Sequence, residues 1–293
     1  MNYRAPVVLP LLEPELLRIV DTALAEDLAM GDVTTDSLID PSWRAEGSIF
    51  MKEPGVLAGV PVAQAVFRRV DPNIEFRLQR TDGERLQTGD VIGTVEGPTG
   101  SILKAERCAL NFVQRLSGVA TLTSQLVDAV GEIPVRIVET RKTTPGLRTL
   151  EKYAVRVGGG HNHRQNLADG VLIKDNHLQA LAAAGFGVAD AVRMARARAT
   201  HMVQIEIEVE DLEQMQEALE AEPDWILLDN MPPDLMATAV KMIAGRAKVE
   251  ASGGITLANV RAVAESGVDL ISSGSLTHSY RALDISLELS YRS

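Results

Sequence analysis

The stretch from Gln204 to Met231, QIEIEVEDLEQMQEALEAEPDWILLDNM, indicates the fold of this chain most directly. It contains a short apolar strand (Gln204–Val209), an amphipathic helix (Leu212–Ala221) and a second apolar strand (Trp225–Asp229). Strand, helix and strand in this order and length predict two parallel strands that are joined by a helical crossover.

The same alternation continues on both sides of this stretch. Further apolar strands are predicted at Val135–Glu139, Val171–Lys174, Lys248–Ala251 and Leu270–Ser273. The predicted helices between them include Gly187–Ala199, Pro233–Gly245 and Leu257–Glu265. Six parallel strands with helices on the outside predict an α/β fold with an incomplete (β/α) barrel, short of the usual eight strands.

The first hundred residues follow another pattern. Helices are predicted at Pro14–Leu28, Pro61–Val70 and Ser101–Leu116, while Asp32–Asp36 is predicted to be a loop. Between these helices lie short strand-like runs that are separated by Gly-Asp and Asp-Gly turns. Strands with an inserted helix predict a separate α+β domain of about a hundred residues.

Composition excludes several classes of function. The 293 residues carry a formal charge of −11, which argues against nucleic acid or an anionic membrane as the main partner. The single cysteine, Cys108, excludes a disulfide framework within the chain and fits a cytoplasmic setting. The N-terminal MNYRAPVVLPLLEPELL lacks the features of a secretory signal, and no apolar run approaches the ~18 residues of a membrane span.

The segment Val138–His177 is basic, although the chain as a whole is acidic. Against four acidic residues it carries seven basic ones: Arg141, Lys142, Arg148, Lys152, Arg156, Arg164 and Lys174. A cationic cluster among glycines and short apolar strands favours a pocket for a small, multiply anionic substrate, since the field in a cleft is set locally.

Polar or glycine elements follow all six predicted strands. They are Thr140–Lys142, Lys174–His177, Glu208, Asp229-Asn230, Ser252–Gly254 and Gly274-Ser275. Functional groups of α/β barrels lie at the carboxyl ends of the strands, so this coincidence predicts an active site there. Each element alone has a simpler interpretation: Ser252–Gly254 as a turn, Arg141-Lys142 as solvated surface, and Asp229-Asn230 as a helix cap.

The residue types suggest separate tasks. Arginine and lysine at 141, 142, 164 and 174, with His163, suit an anion with two or three charges. Backbone N–H groups of Ser252–Gly254 and Gly274–Leu276 would bind phosphate if each begins a helix. Glu206, Glu208 and Glu210 share one face of their strand and, with Asp229, require compensation by lysine, Mg²⁺ or both.

The motifs together are similar to one family. EDLAMGDVTTDSL (26–38), AERCALNF (105–112), TRKTTPGLR (140–148), GGGHNHRQNLADGVLIKDNH (158–177), IEIEVEDL (205–212), LLDNM (227–231), EASGGIT (250–256) and SSGSLTHS (272–279) occur in this order along nearly the whole chain. In this set the sequence resembles the quinolinate phosphoribosyltransferase family.

The resemblance implies an N-terminal α/β sandwich, residues 1–117 joined by 278–293, and an incomplete barrel, residues 118–277. It also implies a homodimer or a hexamer of dimers in which Arg107 reaches the site of a neighbouring chain.

The implied reaction transfers phosphoribosyl from phosphoribosyl pyrophosphate to quinolinate and releases CO₂ and pyrophosphate, which yields nicotinate mononucleotide. Lys142, Glu208 and Asp229 are the expected catalytic residues, and the two acids are also expected near Mg²⁺. The resemblance further implies substrate contacts by Arg107, Thr140, Arg141, Lys142, His163, Arg164, Lys174, Glu208, Asp229, Ser252, Gly253, Gly254, Gly274, Ser275 and Leu276.

Three other interpretations fit parts of the sequence. A Schiff-base aldolase on the same barrel would use Lys142 or Lys174 as its nucleophile. A protein that only binds a phosphorylated metabolite would need the basic pocket, although Glu208 and Asp229 would repel its ligand. A related transferase acting on another base, such as nicotinate, would share most motifs.

Overall fold

The computed structural model describes residue 8 and residues 10–290, which form two compact units. The first unit takes in the chain up to Ser124, Thr144–Gly159 and the chain from Ser279 onwards; the second takes in Gln125–Thr143 and Gly160–His278. About half of the N-terminal stretch that is predicted to lack a secretory signal, residues 1–7 and 9, lies outside the described residues. None of the helices in the described part is long and apolar enough to cross a membrane.

The first unit is built on a four-stranded antiparallel sheet in the order β12-β1-β5-β3. Its strands are β1 (Arg44–Met51), β3 (Glu75–Leu78), β5 (Val91–Pro98) and β12 (Ile285–Ser290), and a small second sheet pairs β2 (Gly55–Val56) with β4 (Arg85–Leu86). The buried positions alternate along β1, so one face of that strand packs into the unit.

Among the described residues, the first unit contains five helices or parts of helices, and two of them begin at an aspartate that accepts their first N–H groups. The five are α1 (Glu13–Leu28), α2 (Val33–Leu38), α3 (Val60–Val70), the first part of α4 (Thr99–Val130) and α5 (Arg148–Val157). The loop predicted at Asp32–Asp36 is wrong: the Asp32 side chain accepts the N–H of Thr35 at 3.0 Å and caps α2. Asp82 similarly accepts the N–H groups of Gly59 and Val60 at the start of α3.

Helix α4 runs well beyond its predicted end at Leu116. Gly118, two residues beyond the predicted end, lies inside the helix. The chain at Arg281 passes so close that a Cβ at this position would stand 2.3 Å from the Arg281 carbonyl oxygen. The expected domain boundary between residues 117 and 118 therefore falls within a continuous helix. Close backbone approach, and not helix termination, explains this glycine.

The second unit contains a six-stranded parallel sheet in the order β6-β11-β10-β9-β8-β7. The strands are β6 (Arg136–Val138), β7 (Val171–Ile173), β8 (Ile205–Val209), β9 (Trp225–Asp229), β10 (Lys248–Ser252) and β11 (Leu270–Ser272). The helices are α6 (Asp175–Ala182), α7 (Val188–Arg198), α8 (Leu212–Leu219), α9 (Pro233–Ile243), α10 (Val260–Glu265) and α11 (Ser275–His278). The predicted α/β class and the six parallel strands are confirmed.

Strand alternation separates the helix-facing side of this sheet from its inner side. In β8 the apolar Ile205, Ile207 and Val209 are fully buried, and Glu206 and Glu208 between them point to the other face. The carboxylates thus share the inner face of the strand, one strand repeat apart. Glu210, which was predicted on the same face, is exposed beyond the strand end.

No ladder joins the two outer strands β6 and β7 among the described residues, so the barrel is incomplete. Beside β6, His161 forms a single parallel bridge with Val138, and the His161 N–H donates to the Ile137 carbonyl at 2.8 Å. The segment 160–164 therefore extends the open edge of the sheet. It is this segment that carries His163 and Arg164 to the interior.

Candidate active site

A cavity of about 570 Å³ lies at the carboxyl ends of the parallel strands. Its lining combines cations, carboxylates, hydroxyls and glycines: Thr140, Arg141, Lys142, His163, Arg164, Leu172, Lys174, Glu208, Leu227, Asp229, Asn230, Glu250, Ser252, Gly253, Gly254 and Ser272. All six strands contribute to it, either directly or through the loop that follows. This is the position at which α/β barrels carry out chemistry.

The loop after β6 holds Lys142 at the wall of this cavity. The Lys142 N–H donates to Thr140 Oγ1 at 3.0 Å, and the Lys142 carbonyl accepts from Thr277 Oγ1 at 2.9 Å. A Cβ at Gly274 would stand 3.0 Å from Lys142 Cδ, so the glycine leaves room for the lysine side chain. Hydrogen bonds to both the N–H and the carbonyl of Lys142 thus fix the backbone position from which its side chain extends.

Glu139 organises the segment that carries the next two cations. Its carboxylate is fully buried and accepts from Asn162 Nδ2 at 2.9 Å and from the His163 N–H at 3.1 Å. The Arg164 guanidinium donates to the Gly170 carbonyl at 3.0 Å. Burial lowers the pKa of Arg164, and the nearby charge of Arg141 lowers it further. Two partly desolvated guanidinium groups that repel each other are stabilised by an anion between them.

Two acids line the same cavity. Lys174 Nζ donates to Glu208 Oε2 in a short ion pair. Asp229, at the end of β9, accepts from Asn230 Nδ2 at 2.7 Å. Glu208 is largely buried, whereas Lys174 is about half exposed. One carboxylate is thus charge-balanced by a lysine, and the other is held by an amide.

The glycine loop after β10 depends on its first glycine. Gly253 has φ +90°, and a Cβ there would stand 2.1 Å from Asn230 Oδ1. The Asn230 N–H, in turn, donates to the Ser252 carbonyl at 2.9 Å. Gly254 also has positive φ but faces open space. The two loops after β9 and β10 are therefore packed against each other, with Gly254 free towards the cavity.

A buried cluster lies beneath these groups. His163 Nε2 is 3.2 Å from Glu250 Oε2 and 3.4 Å from Glu206 Oε2, while His163 Nδ1 accepts the Arg164 N–H at 2.8 Å. Burial lowers the pKa of His163, but the two glutamates outweigh this and raise it to about 10. Burial raises the pKa of Glu206 to about 7.

The two shifts compete for one proton. We place it on the carboxyl side, because protonation of Nδ1 would break its hydrogen bond with the Arg164 N–H. Because Nδ1 accepts a hydrogen bond, the neutral ring carries its hydrogen on Nε2. Neither ring nitrogen then offers a lone pair to a metal. Although these three residues are the one group in the described chain with metal-like spacing, they therefore suit hydrogen bonding better than metal binding.

The chain matches two family models over most of its length. The model of the quinolinate phosphoribosyl transferase N-terminal domain matches residues 32–117, and that of the C-terminal domain matches residues 119–288. The chain belongs to the quinolinate phosphoribosyltransferase family. The resemblance inferred from the sequence motifs is confirmed, and so is the enzyme class that it implied.

Individual relatives agree with this assignment. The probable nicotinate-nucleotide pyrophosphorylase (carboxylating) of Bacillus subtilis is 43% identical over 94% of this chain and 93% of its own length. The nicotinate-nucleotide pyrophosphorylase (carboxylating) of Mycobacterium leprae is 46% identical over 91% of this chain and 94% of its own length. The crystal structure of NadC from Streptococcus pyogenes superposes with a TM-score of 0.92 at 42% identity, over 97% of this chain and all of that one.

Within this quinolinate phosphoribosyltransferase family member, the structure brings eleven of the expected substrate-binding residues into the cavity: Thr140, Arg141, Lys142, His163, Arg164, Lys174, Glu208, Asp229, Ser252, Gly253 and Gly254. Gly274, Ser275 and Leu276 are not among the lining residues, and Leu276 is buried. Arg107 belongs to the first unit, where it lines another cavity with Asp27, Asn111 and Tyr280.

Sequence reasoning missed four lining residues: Leu172, Leu227, Glu250 and Ser272. Glu250 is nearly inaccessible, so its charge is the most consequential of these. The signal that could have found it is strand alternation, which places Glu250 on the same face of β10 as Ser252. The rule for strand ends selects residues at or after the end of each strand, and Glu250 lies inside its strand.

Proposed function

We propose that the protein transfers the phosphoribosyl group of phosphoribosyl pyrophosphate to quinolinate with decarboxylation, which yields nicotinate mononucleotide, CO₂ and pyrophosphate. The observation that carries the proposal is that one cavity is lined both by cations, from the loops after β6 and β7, and by acids from β8 and β9. Quinolinate is a dianion, and the ribosyl centre becomes cationic during transfer. The cationic and acidic parts of the lining match these opposite charges.

The cationic side is suited to the two carboxylates of quinolinate. Arg141 and Arg164 offer planar donor pairs, and Lys142 adds a compact charge on an anchored stem. The same positive field would stabilise the negative charge that remains on the pyridine ring when CO₂ departs. Arg164 in particular is held by the Gly170 carbonyl, so little reorganisation is needed on binding.

The acidic side is suited to the ribosyl transition state. As the bond to pyrophosphate breaks, positive charge develops at the anomeric carbon. Carboxylates of Glu208 and Asp229 beneath the ribose would stabilise that charge and accept hydrogen bonds from its hydroxyls. Lys174 balances Glu208 before substrate binds. The ring nitrogen of quinolinate then attacks without a covalent enzyme intermediate.

The phosphate groups are proposed to bind at the glycine loop after β10. Gly254 faces open space beside the cavity, so its backbone can approach a phosphate closely. Helix α10 begins only at Val260, later than predicted, so the loop amides contribute more here than a helix terminus does. Gly274–Leu276 would act at the border of the cavity, where Gly274 adjoins Lys142.

Mg²⁺ fits the donor types at Glu208 and Asp229, since carboxylate oxygens are its usual protein ligands. One oxygen of each is already engaged, by Lys174 and by Asn230. We therefore propose that the ion would be held chiefly by substrate oxygens, with these two residues as supplementary or indirect ligands. When bound, Mg²⁺ adds positive charge beside the departing pyrophosphate.

The proposal extends to assembly and location. A homodimer, or a hexamer of dimers, with Arg107 completing the site of a neighbour follows from the family resemblance. A cytoplasmic location follows from the nearly cysteine-free composition. Nucleic acid and membranes are not proposed as partners, because the net charge is −11.

The alternatives are distinguished by one incubation with quinolinate, phosphoribosyl pyrophosphate and Mg²⁺. We expect nicotinate mononucleotide and CO₂ in equal amounts; turnover with nicotinate but not quinolinate would overturn the substrate assignment. A Schiff-base aldolase would instead be trapped by borohydride with a carbonyl substrate. The ion pair of Lys174 with Glu208 disfavours that role for Lys174, because the amine already binds a carboxylate.

A further inference from the structure

Two cavities meet inside the second unit. Besides the substrate cavity, one of about 200 Å³ is lined by residues at the opposite ends of the strands, among them Gly170, Gln204, Trp225 and Leu270. The two cavities share only three lining residues, His163, Arg164 and Glu250. A route through the interior of the incomplete barrel would therefore exist if these side chains did not obstruct it.

Strand alternation explains why charged side chains lie at the boundary between the two cavities. Glu206 lies one strand repeat below Glu208 in β8, and Glu250 lies one repeat below Ser252 in β10. In the second unit Glu208 and Ser252 line the substrate cavity, while Glu206 lines only the second cavity. The two deeper carboxylates are buried, at 9% and 1% exposure.

His163 enters this layer from the segment 160–164 and fills the space between the two acids. Its Nε2 faces Glu250 at 3.2 Å and Glu206 at 3.4 Å, and its Nδ1 accepts the Arg164 N–H at 2.8 Å. Nδ1 is thus engaged by a backbone N–H, and Nε2 is enclosed by two buried carboxylates. A histidine enclosed in this way is well placed to close a passage between the two cavities.

The proposed chemistry gives such a closure a purpose. When the anomeric carbon loses pyrophosphate, its positive charge attracts any nucleophile. Attack by the quinolinate nitrogen forms the nucleotide, whereas attack by water forms a C–O bond, releases a proton to solvent and leaves ribose 5-phosphate with pyrophosphate. Exclusion of water from a reacting centre suppresses such side reactions.

We propose that His163, Glu206 and Glu250, together the His163 plug, seal the substrate cavity against water from the second cavity, and that Glu250 is the positioning residue that holds His163 in place. This rests on the proposed function. His163 lines both cavities, so the closing role adds to its expected substrate contact. The large positive shift of the His163 pKa agrees with tight contact to both acids.

The test compares the amounts of pyrophosphate and nicotinate mononucleotide formed in the same reaction. For the wild type we expect equal amounts. Glu250→Ala removes the support of His163, and the ratio of pyrophosphate to nucleotide should rise by roughly twofold or more as hydrolysis competes. Glu250→Gln retains the shape and an oxygen acceptor for Nε2–H, so its ratio should stay near that of the wild type.

Gln204→Ala provides a matched control. Gln204 is an exposed residue at the solvent side of the second cavity, so its truncation widens the cavity without touching the plug. Equal ratios in this variant and the wild type would support the plug as the barrier. A rise as large as that of Glu250→Ala would overturn the proposal.

A folded Glu250→Ala variant with an unchanged ratio would also overturn it, and circular dichroism establishes folding. If Glu250→Ala does not fold, Glu250→Asp carries the test, since it keeps the charge but shortens the reach by one methylene. Its ratio should exceed that of Glu250→Gln, and equality of the two would contradict the proposal. Absence of nucleotide from the wild type itself would instead refute the proposed function.

Discussion

Lys174 Nζ donates to Glu208 Oε2 across the carboxyl ends of the adjacent strands β7 and β8. The pair joins the acid that is proposed to face the ribose to one of the cations that line the same cavity. The two residues are 34 positions apart in the sequence, so it is the parallel register of β7 and β8 that brings them together.

The first prediction concerns this pair. Glu208→Gln should lower kcat by about a hundredfold and change the KM for quinolinate less, because the carboxylate acts mainly on charge that develops in the transition state. Lys174→Ala should chiefly raise the KM for quinolinate. Steady-state kinetics with each substrate varied in turn measures both effects.

Lys248→Ala is a suitable control for these variants. Lys248 pairs with Asp269 at 2.7 Å, but on the surface near the amino end of β10. Removal of an exposed ion pair has little effect on stability, so near-normal kinetics are expected. If this variant lost as much activity as Glu208→Gln, general destabilisation would explain the loss better than site chemistry.

The second prediction compares adjacent glycines. Gly253→Ala should abolish most activity and lower stability by about 1–3 kcal/mol, because the new Cβ would stand 2.1 Å from Asn230 Oδ1 in addition to the strain of φ +90°. Gly254→Ala shares the positive φ but meets open space, so its stability loss should be smaller. Thermal unfolding of both variants tests the difference; equal losses would show that backbone strain, and not the clash, decides the outcome.

The parallel-stranded unit could be predicted from the sequence because its signals are local. Apolar strands such as Trp225–Asp229 alternate with amphipathic helices at short intervals, and chirality allows few connections between them. The polar residue after each strand then follows from the rule for barrel strand ends. Arg141, Lys174 and Asp229 were found in this way, and they do line one cavity.

The features that were missed depend on contacts between distant segments. Gly118 resembles a helix end, yet it is required by the passage of Arg281 more than 160 residues later. From the sequence alone, Glu250 is a charged residue inside an apolar strand with no visible partner. Its partner His163 comes from a distant segment and lies 3.2 Å away. Asp32 was read as part of a loop, although its side chain caps the following turn. Local pattern cannot supply a partner that tertiary structure brings in.

The third prediction is a pH dependence of stability. Burial raises the pKa of Glu206 to about 7, above its value in an unfolded chain, so the folded state binds the proton more tightly. This contribution to the free energy of unfolding is fully present below the unfolded pKa and is lost as the pH rises through about 7.

Glu206→Gln mimics the protonated acid and removes its titration. The free energy of unfolding of the wild type, measured relative to this variant by denaturant titration, should therefore rise as the pH falls from about 8 to about 5. A pH-independent difference between the two proteins would show that Glu206 does not gain protons on folding in this range.

The fourth prediction concerns a site shared between chains. Arg107→Ala and Lys142→Ala should each be inactive, since Arg107 is proposed to serve the neighbour's cavity and Lys142 lines its own. If the two variants are unfolded and refolded together as dimers, half of the dimers are mixed. Each mixed dimer combines both lesions in one site and leaves the other site intact, so about a quarter of wild-type activity should return.

The control for this experiment mixes Lys142→Ala with Arg141→Ala, two lesions on the same loop. Both act on a chain's own cavity, so every site of a mixed dimer carries one lesion and no activity should return. Native mass spectrometry of the mixture verifies that mixed oligomers form. Activity that stays absent in verified mixed oligomers of Arg107→Ala and Lys142→Ala would place both residues at the same chain's site and remove the basis for a shared one.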